Sequence, residues 1–134
     1  MSGPSGRTLL LTEALSLWGG IDPASGEIID THHPRRGANV AGRVLVMPSG
    51  RGSSSSASVL AEAARAGTAP AAIVLGEPDL ILAIGATVAD ELYGVRIPII
   101  VRPPDRLARI RDGVMVRIGP RGGLRRVWRT SATG

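Results

Sequence analysis

Three features of this sequence predict an α/β fold: short aliphatic runs alternating with helical segments, glycine-rich punctuation between them, and an apolar content that is almost wholly aliphatic. Hydrophobic residues make up 43% of the 134 positions, and Trp18, Tyr93 and Trp128 are the aromatics. A chain of this length forms one domain and buries about two-thirds of the surface its unfolded form exposes. A mixed sheet with flanking helices is the expected architecture.

Residues 1–6 read as a flexible lead of Gly, Ser and Pro. From Thr8, the leucines at 9–11 and the run toward Trp18 read as strand. Gly19-Gly20 and Asp22-Pro23-Ala24-Ser25-Gly26 are turn chemistry, with Asp22 as a turn former, and residues 27–30 return as a short strand. This hairpin-like unit ends at His33-Pro34, where proline disfavours helix in the residue before it. Residues 40–47 read as a strand with a buried end, stopped by Pro48-Ser49-Gly50-Arg51-Gly52. The serine run then opens a helix whose Val59, Leu60, Ala63 and Ala64 share one face, and Gly67 is its expected C-cap. Strand 71–75, helix 79–93 and strand 97–101 complete a βαβαβ series. Pro98 lacks the N–H a ladder needs, so its strand lies at an edge or starts pairing just after the proline. A helical turn over 105–111, a strand over 114–118 and a basic strand or tail over 120–134 close the chain.

All sixteen basic residues are arginine, and the formal net charge is +5. Nucleic acid is not the expected partner. Arg117, Arg121, Arg125, Arg126 and Arg129 are the densest group, yet no platform of aromatics accompanies them for base stacking. An acidic partner or an anionic substrate accounts for the charge equally well. No run approaches the ~20 apolar residues of a membrane span, and the first residues lack the apolar core of a signal peptide, so a soluble cytoplasmic protein is expected. Cysteine is absent, which excludes disulfides and a thiolate-held iron–sulfur cluster within this chain. His32 and His33 are adjacent, not spaced to share a helix face, so a self-contained zinc site is not expected. A solvent-facing pair at a strand end is the favoured reading of the two.

The segment most suited to chemistry is Gly50-Arg51-Gly52-Ser53, between a buried strand and a helix. Glycines there permit a tight turn, helix-terminal N–H groups and the helix dipole favour anions, and Arg51 offers a fork for a carboxylate or phosphate. Ser53 to Ser56 add caps and hydroxyls. The phosphate-binding Walker pattern is excluded, because Met47 stands where its first glycine belongs and Ser53 where its lysine belongs. The dinucleotide pattern G-x-G-x-x-G fails at Ser55. From the residues alone, the serines read equally as helix caps and as part of an anion site.

Taken in order, Gly19-Gly20-Ile21-Asp22-Pro23, Gly26-Glu27-Ile28-Ile29-Asp30, His33-Pro34, Gly42-Arg43-Val44-Leu45-Val46 and Gly50-Arg51-Gly52-Ser53-Ser54-Ser55 resemble the aconitase X swivel-domain family. The likeness continues through Ala69-Pro70-Ala71-Ala72-Ile73, Gly85 and Pro98-Ile99. It implies a swivelling β/β/α domain over residues 7–119, acting as the small subunit of a hydro-lyase beside a larger, cysteine-bearing subunit that holds an iron or iron–sulfur centre. It implies Ser53 as the catalytic base, the serine after G-[KR]-G. Arg51, Gly52, Ser54 and His33 are the expected substrate contacts, Arg51 from its charge and placement and His33 from the family's His-Pro. Two hydroxy-acid substrates stand out in such a family, cis-3-hydroxy-L-proline and mevalonate 5-phosphate. The arginine-only, alanine-rich composition suggests a high-GC genome and tilts the expectation toward the first. Two further classes compete. A phosphohistidine-type swivelling domain would need a histidine near the turn, which has none; a non-catalytic anion-binding or assembly module would use the same turn without turnover.

Overall fold

The structure is a computed structural model that describes residues 3–51 and 53–127. Among the described residues nine regular elements follow one another: β1 (Ser5–Leu10), β2 (Val44–Met47), α1 (Ser56–Ala66), β3 (Ala72–Leu75), α2 (Leu80–Tyr93), β4 (Ile99–Val101), α3 (Pro104–Leu107), β5 (Met115–Ile118) and β6 (Leu124–Arg126). They form one mixed six-stranded sheet in the order β4-β3-β2-β1-β5-β6. The first four strands in that order run parallel, and β5 joins β1, and β6 joins β5, antiparallel.

Strands buried on both faces read as unbroken aliphatic runs, and β2 and β3 are of that kind. Leu45, Met47, Ile73 and Leu75 point into one core with Leu60 and Leu82 from the helices. Val44, Val46, Ala72 and Val74 point into a second core with Val116 and Ile118 of β5. The sheet therefore has α1 and α2 on one side, while its other side is closed by curling. At the far ends of the strand order, Arg102 after β4 donates to the Gly122 carbonyl in the β5–β6 turn.

α1 is rich in alanine, the strongest helix former, and ends at Gly67 in a left-handed conformation with φ 79°. α2 starts at Asp79, whose side chain accepts the Leu82 N–H at 3.0 Å. The two helices cross closely at Gly85, where a Cβ would stand 2.9 Å from the Ala57 carbonyl oxygen.

The βαβαβ series, the Gly67 cap and the edge position of the Pro98 strand are as expected, the last with pairing confined to Ile99–Val101. Four expectations are corrected, the first being the strand over 40–47, which begins only at Val44 because residues 41–42 form a turn. The first strand begins at Ser5, inside the expected lead, because antiparallel β5 gives Ser5 and Gly6 partners. It ends at Leu10, and residues 11–18 are not a strand. Their buried leucines, Leu11, Leu15 and Leu17, pack on the helical side while the backbone makes one bridge, from Leu15 to Gly50. Residues 27–30 likewise form isolated bridges, Ile28 with Ile21 and Glu27 with Asn39, in place of a ladder. Trp128 and Arg129, expected in the C-terminal strand or tail, lie outside the described residues. Among the described residues no helix is long and apolar enough to cross a membrane.

Candidate active site

The candidate site lies where the end of β2 and the starts of α1 and α2 converge. β2 leads through Pro48 and Ser49 to Gly50, which bridges to Leu15 in parallel fashion, and the Arg51 N–H reaches the Leu15 carbonyl at 3.4 Å. Gly52, one of the expected substrate contacts, lies outside the described residues. Ser53 then opens the turn into α1: its carbonyl accepts the Ser56 N–H at 3.0 Å and its Oγ accepts the Ser55 N–H at 3.2 Å. An N–H aimed at a hydroxyl oxygen favours negative charge on it, and the first turn of a helix adds positive potential.

The four serines divide their work. Ser55 stands at the N-cap position without a side-chain cap bond, and Ser54 is exposed. Ser56 is buried and fixes the irregular segment: the Trp18 N–H donates to its Oγ at 3.2 Å, and the Ser16 Oγ lies 3.5 Å from it. The expected side-chain cap is not formed at the N-cap: Ser53 closes a turn onto the Ser55 N–H just before α1, and Ser56 serves as an internal pin.

Gly50, Arg51, Ser53, Ser56 and Asp79 line one shallow depression with Leu82 at its base. Its enclosed volume is about 10 Å³, room for roughly one water. Arg51 is exposed, and among the described residues its guanidinium makes no ion pair, with Asp79 or any other carboxylate. Asp79 is the site residue that sequence reasoning missed. It stood in the sequence only as a helix start, yet its Oδ2 lies where a side chain at residue 50 would go: a Cβ on Gly50 would be 2.4 Å away. Gly50 thus leaves room for the carboxylate that caps α2.

The structure brings Ser53 and Arg51 together but does not add His33. His33 is buried, in contrast to the solvent-facing pair expected; His32 is exposed. The His33 Nδ1 accepts the Arg35 N–H at 3.0 Å, which assigns the proton to Nε2, and Nε2 donates to the Glu13 carbonyl at 3.2 Å. Neither ring nitrogen is left for a substrate. The ring instead ties the loop before β2 to the segment after β1. Asp112 reinforces the same corner by accepting the Leu10 N–H at 2.9 Å beside Arg35 at 3.3 Å. That backbone bond, aided by the Arg35 charge, holds its carboxyl below the usual range.

Residues 3–126 match the aconitase X swivel domain. A cis-3-hydroxy-L-proline dehydratase of Pseudomonas aeruginosa is 55% identical over 95 residues, 71% of this chain and 16% of that protein. A phosphomevalonate dehydratase small subunit of Methanopyrus kandleri is 41% identical over 117 residues, 87% of this chain and 82% of that one. The crystal structure of Thermococcus kodakaraensis aconitase X in its holo-form superposes with a TM-score of 0.82 at 29% identity, covering 95% of this chain and 93% of that chain. The mixed, curled sheet with its flanking helices and the sequence match agree, and the chain belongs to the aconitase X swivel domain family.

Proposed function

We propose that this chain is the smaller part of a two-part hydro-lyase, supplying a base and an anion clasp to a site that a larger part completes. The observation that carries this reading is the pairing, in one depression, of an Arg51 with no ion pair among the described residues and a Ser53 hydroxyl that accepts an N–H at a helix start. The names of the relatives, dehydratases in both substrate groups, support the reaction class.

Dehydration of a β-hydroxy acid removes a proton from the carbon next to the carboxylate and a hydroxide from the following carbon. Ser53, as an alkoxide stabilised by the Ser55 N–H and the start of α1, takes that proton. Arg51 holds the carboxylate, with Ser54 and Gly52 as further proposed substrate contacts. The iron centre that the family implies has no ligand set here: cysteine is absent, and no three His, Asp or Glu gather among the described residues. We assign that centre to the larger part, the aconitase X large subunit, in a heterodimer or higher assembly.

The favoured substrate is cis-3-hydroxy-L-proline, giving Δ1-pyrroline-2-carboxylate, and the 55% identity of the Pseudomonas relative supports it. Mevalonate 5-phosphate is the second reading, supported by the 41% identity of the Methanopyrus small subunit over 87% of this chain. Anaerobic co-expression with the large aconitase X subunit of the same genome, followed by assay of both compounds, separates the two. Turnover of the hydroxyproline by the complex and none by the chain alone is expected. Turnover of mevalonate 5-phosphate alone would replace the substrate, and a complex inactive on both would overturn the substrate assignment and favour a non-catalytic assembly module.

A further inference from the structure

We propose that the outer ridge of α2 is the surface on which the larger part of the enzyme docks, so that one contact both assembles the complex and closes the Ser53 depression. The identity of the occupant rests on the proposed function above; the choice of surface rests on α2 itself.

α2 is apolar on two sides. Leu82, Gly85 and Ala89 are buried, with Gly85 against Ala57 and Leu60 of α1. Along another side, Leu80, Ile84, Val88 and Leu92 follow one another four residues apart. Of these, Leu80 is 75%, Ile84 48% and Leu92 66% exposed. A helix at a protein surface normally carries one apolar stripe, and a helix apolar on both sides is one covered on both. Residues spaced by four form the ridge that fills the groove of a packed partner, and bare apolar patches of this kind mark interaction surfaces.

The ridge also begins at the site. Leu80 directly follows Asp79, which lines the depression, and exposed Trp18 is held at the same place through its N–H to Ser56. The depression is far smaller than the roughly 300 Å³ at which ligand pockets begin. A second wall must come from another surface, and a wall laid beside Asp79 meets Leu80 and Ile84. The length comparison supports a large polypeptide as that wall, since this chain spans 16% of the Pseudomonas relative.

The test uses the complex of the full chain with the large aconitase X subunit of the same genome. Leu80→Asp combined with Ile84→Asp is expected to weaken association roughly 100-fold, with the isolated chain still folded because both residues are exposed. Arg117→Glu, on β5, is expected to leave association unchanged. Hydrogen exchange of the wild-type complex supplies an independent measure: protection of α2 on assembly is expected, and unprotected α2 overturns the proposal even if the double variant fails to fold. Retained association and hydroxy-acid turnover in a folded double variant would overturn the docking surface while leaving the proposed function standing. Loss of a self-associated dimer of this chain in that variant, with the large subunit still bound, would assign the ridge to a second copy and overturn the proposal. A wild-type chain that does not bind the large subunit would sink both.

Discussion

Alanine at position 50 would place a methyl carbon 2.4 Å from Asp79 Oδ2 and 3.4 Å from the Leu82 side chain. The carboxylate has to move, and moving it gives up the 3.0 Å bond that caps α2. Losing an aspartate N-cap costs about 1 kcal/mol, and pushing the side chain off its preferred rotamer adds roughly 0.5–1 kcal/mol. Against this, Gly50 does not have a positive φ, so alanine fits its backbone and stabilises by about 0.5 kcal/mol through the unfolded chain. Gly50→Ala should therefore cost about 1 kcal/mol, and Asp79→Ala a similar amount. With the carboxylate already gone, the methyl group finds space, and the double variant should lose only about 0.5 kcal/mol instead of roughly 2 kcal/mol. Urea unfolding of all four proteins at one pH measures the coupling, about 1.5 kcal/mol. Additive losses would refute the argument that Gly50 exists to seat Asp79.

His33→Ala should destabilise the chain by about 2–3 kcal/mol, because it strands the Arg35 N–H and the Glu13 carbonyl and opens a cavity, while KM of the assembled enzyme stays unchanged. A raised KM at unchanged stability would return His33 to the substrate. The lowered Asp112 value means that folding favours its charged form; its contribution is present above the unfolded value and is lost as pH falls through the lowered folded value. Asp112→Asn should thus lower stability at neutral pH with little change near pH 2, flattening the acid limb of a stability profile taken from about pH 6 to about pH 2. An unchanged acid limb would show that the contact with Leu10 and Arg35 is not maintained in solution.

Much of the α/β half of the fold was legible because its signals are local. Gly67 after an alanine-rich helix, Asp79 before an apolar one and Pro98 at the head of a short strand each carry their own stereochemistry, and each boundary lies close to where it was expected. The turns at Gly19-Gly20 and Asp22–Gly26 were legible, but the backbone of residues 11–18 and 27–30 was not. Leu15 and Leu17 alternate as a strand would, but they are buried by packing on the helical side of the sheet, and a side-chain pattern does not show whether the backbone finds a ladder. Ser5 and Gly6 failed for the opposite reason, since polar residues became strand through β5 from the far end of the chain.

The candidate site divides in the same way. The Gly50 to Ser53 turn was visible as glycines and serines between strand and helix. The role of Asp79 was invisible, because what defines it is a contact with Gly50 across two elements. The division among the serines was also hidden: identical residues in a run acquire different partners only once Trp18 is laid against α1. His33 was misplaced because its neighbours in sequence are polar, while its ring is covered by segments remote from it.

The central claim is that Ser53 is the base of a shared site, and it is tested most directly by Ser53→Ala in the co-purified, anaerobic complex. Its Oγ accepts one N–H at the helix start, so assembly should persist and stability should change by less than about 1 kcal/mol. Turnover of the hydroxy acid should fall by roughly 10²–10⁴-fold, the contribution of a positioned base. A complex that assembles normally and retains near-full turnover without the Ser53 hydroxyl would contradict the account.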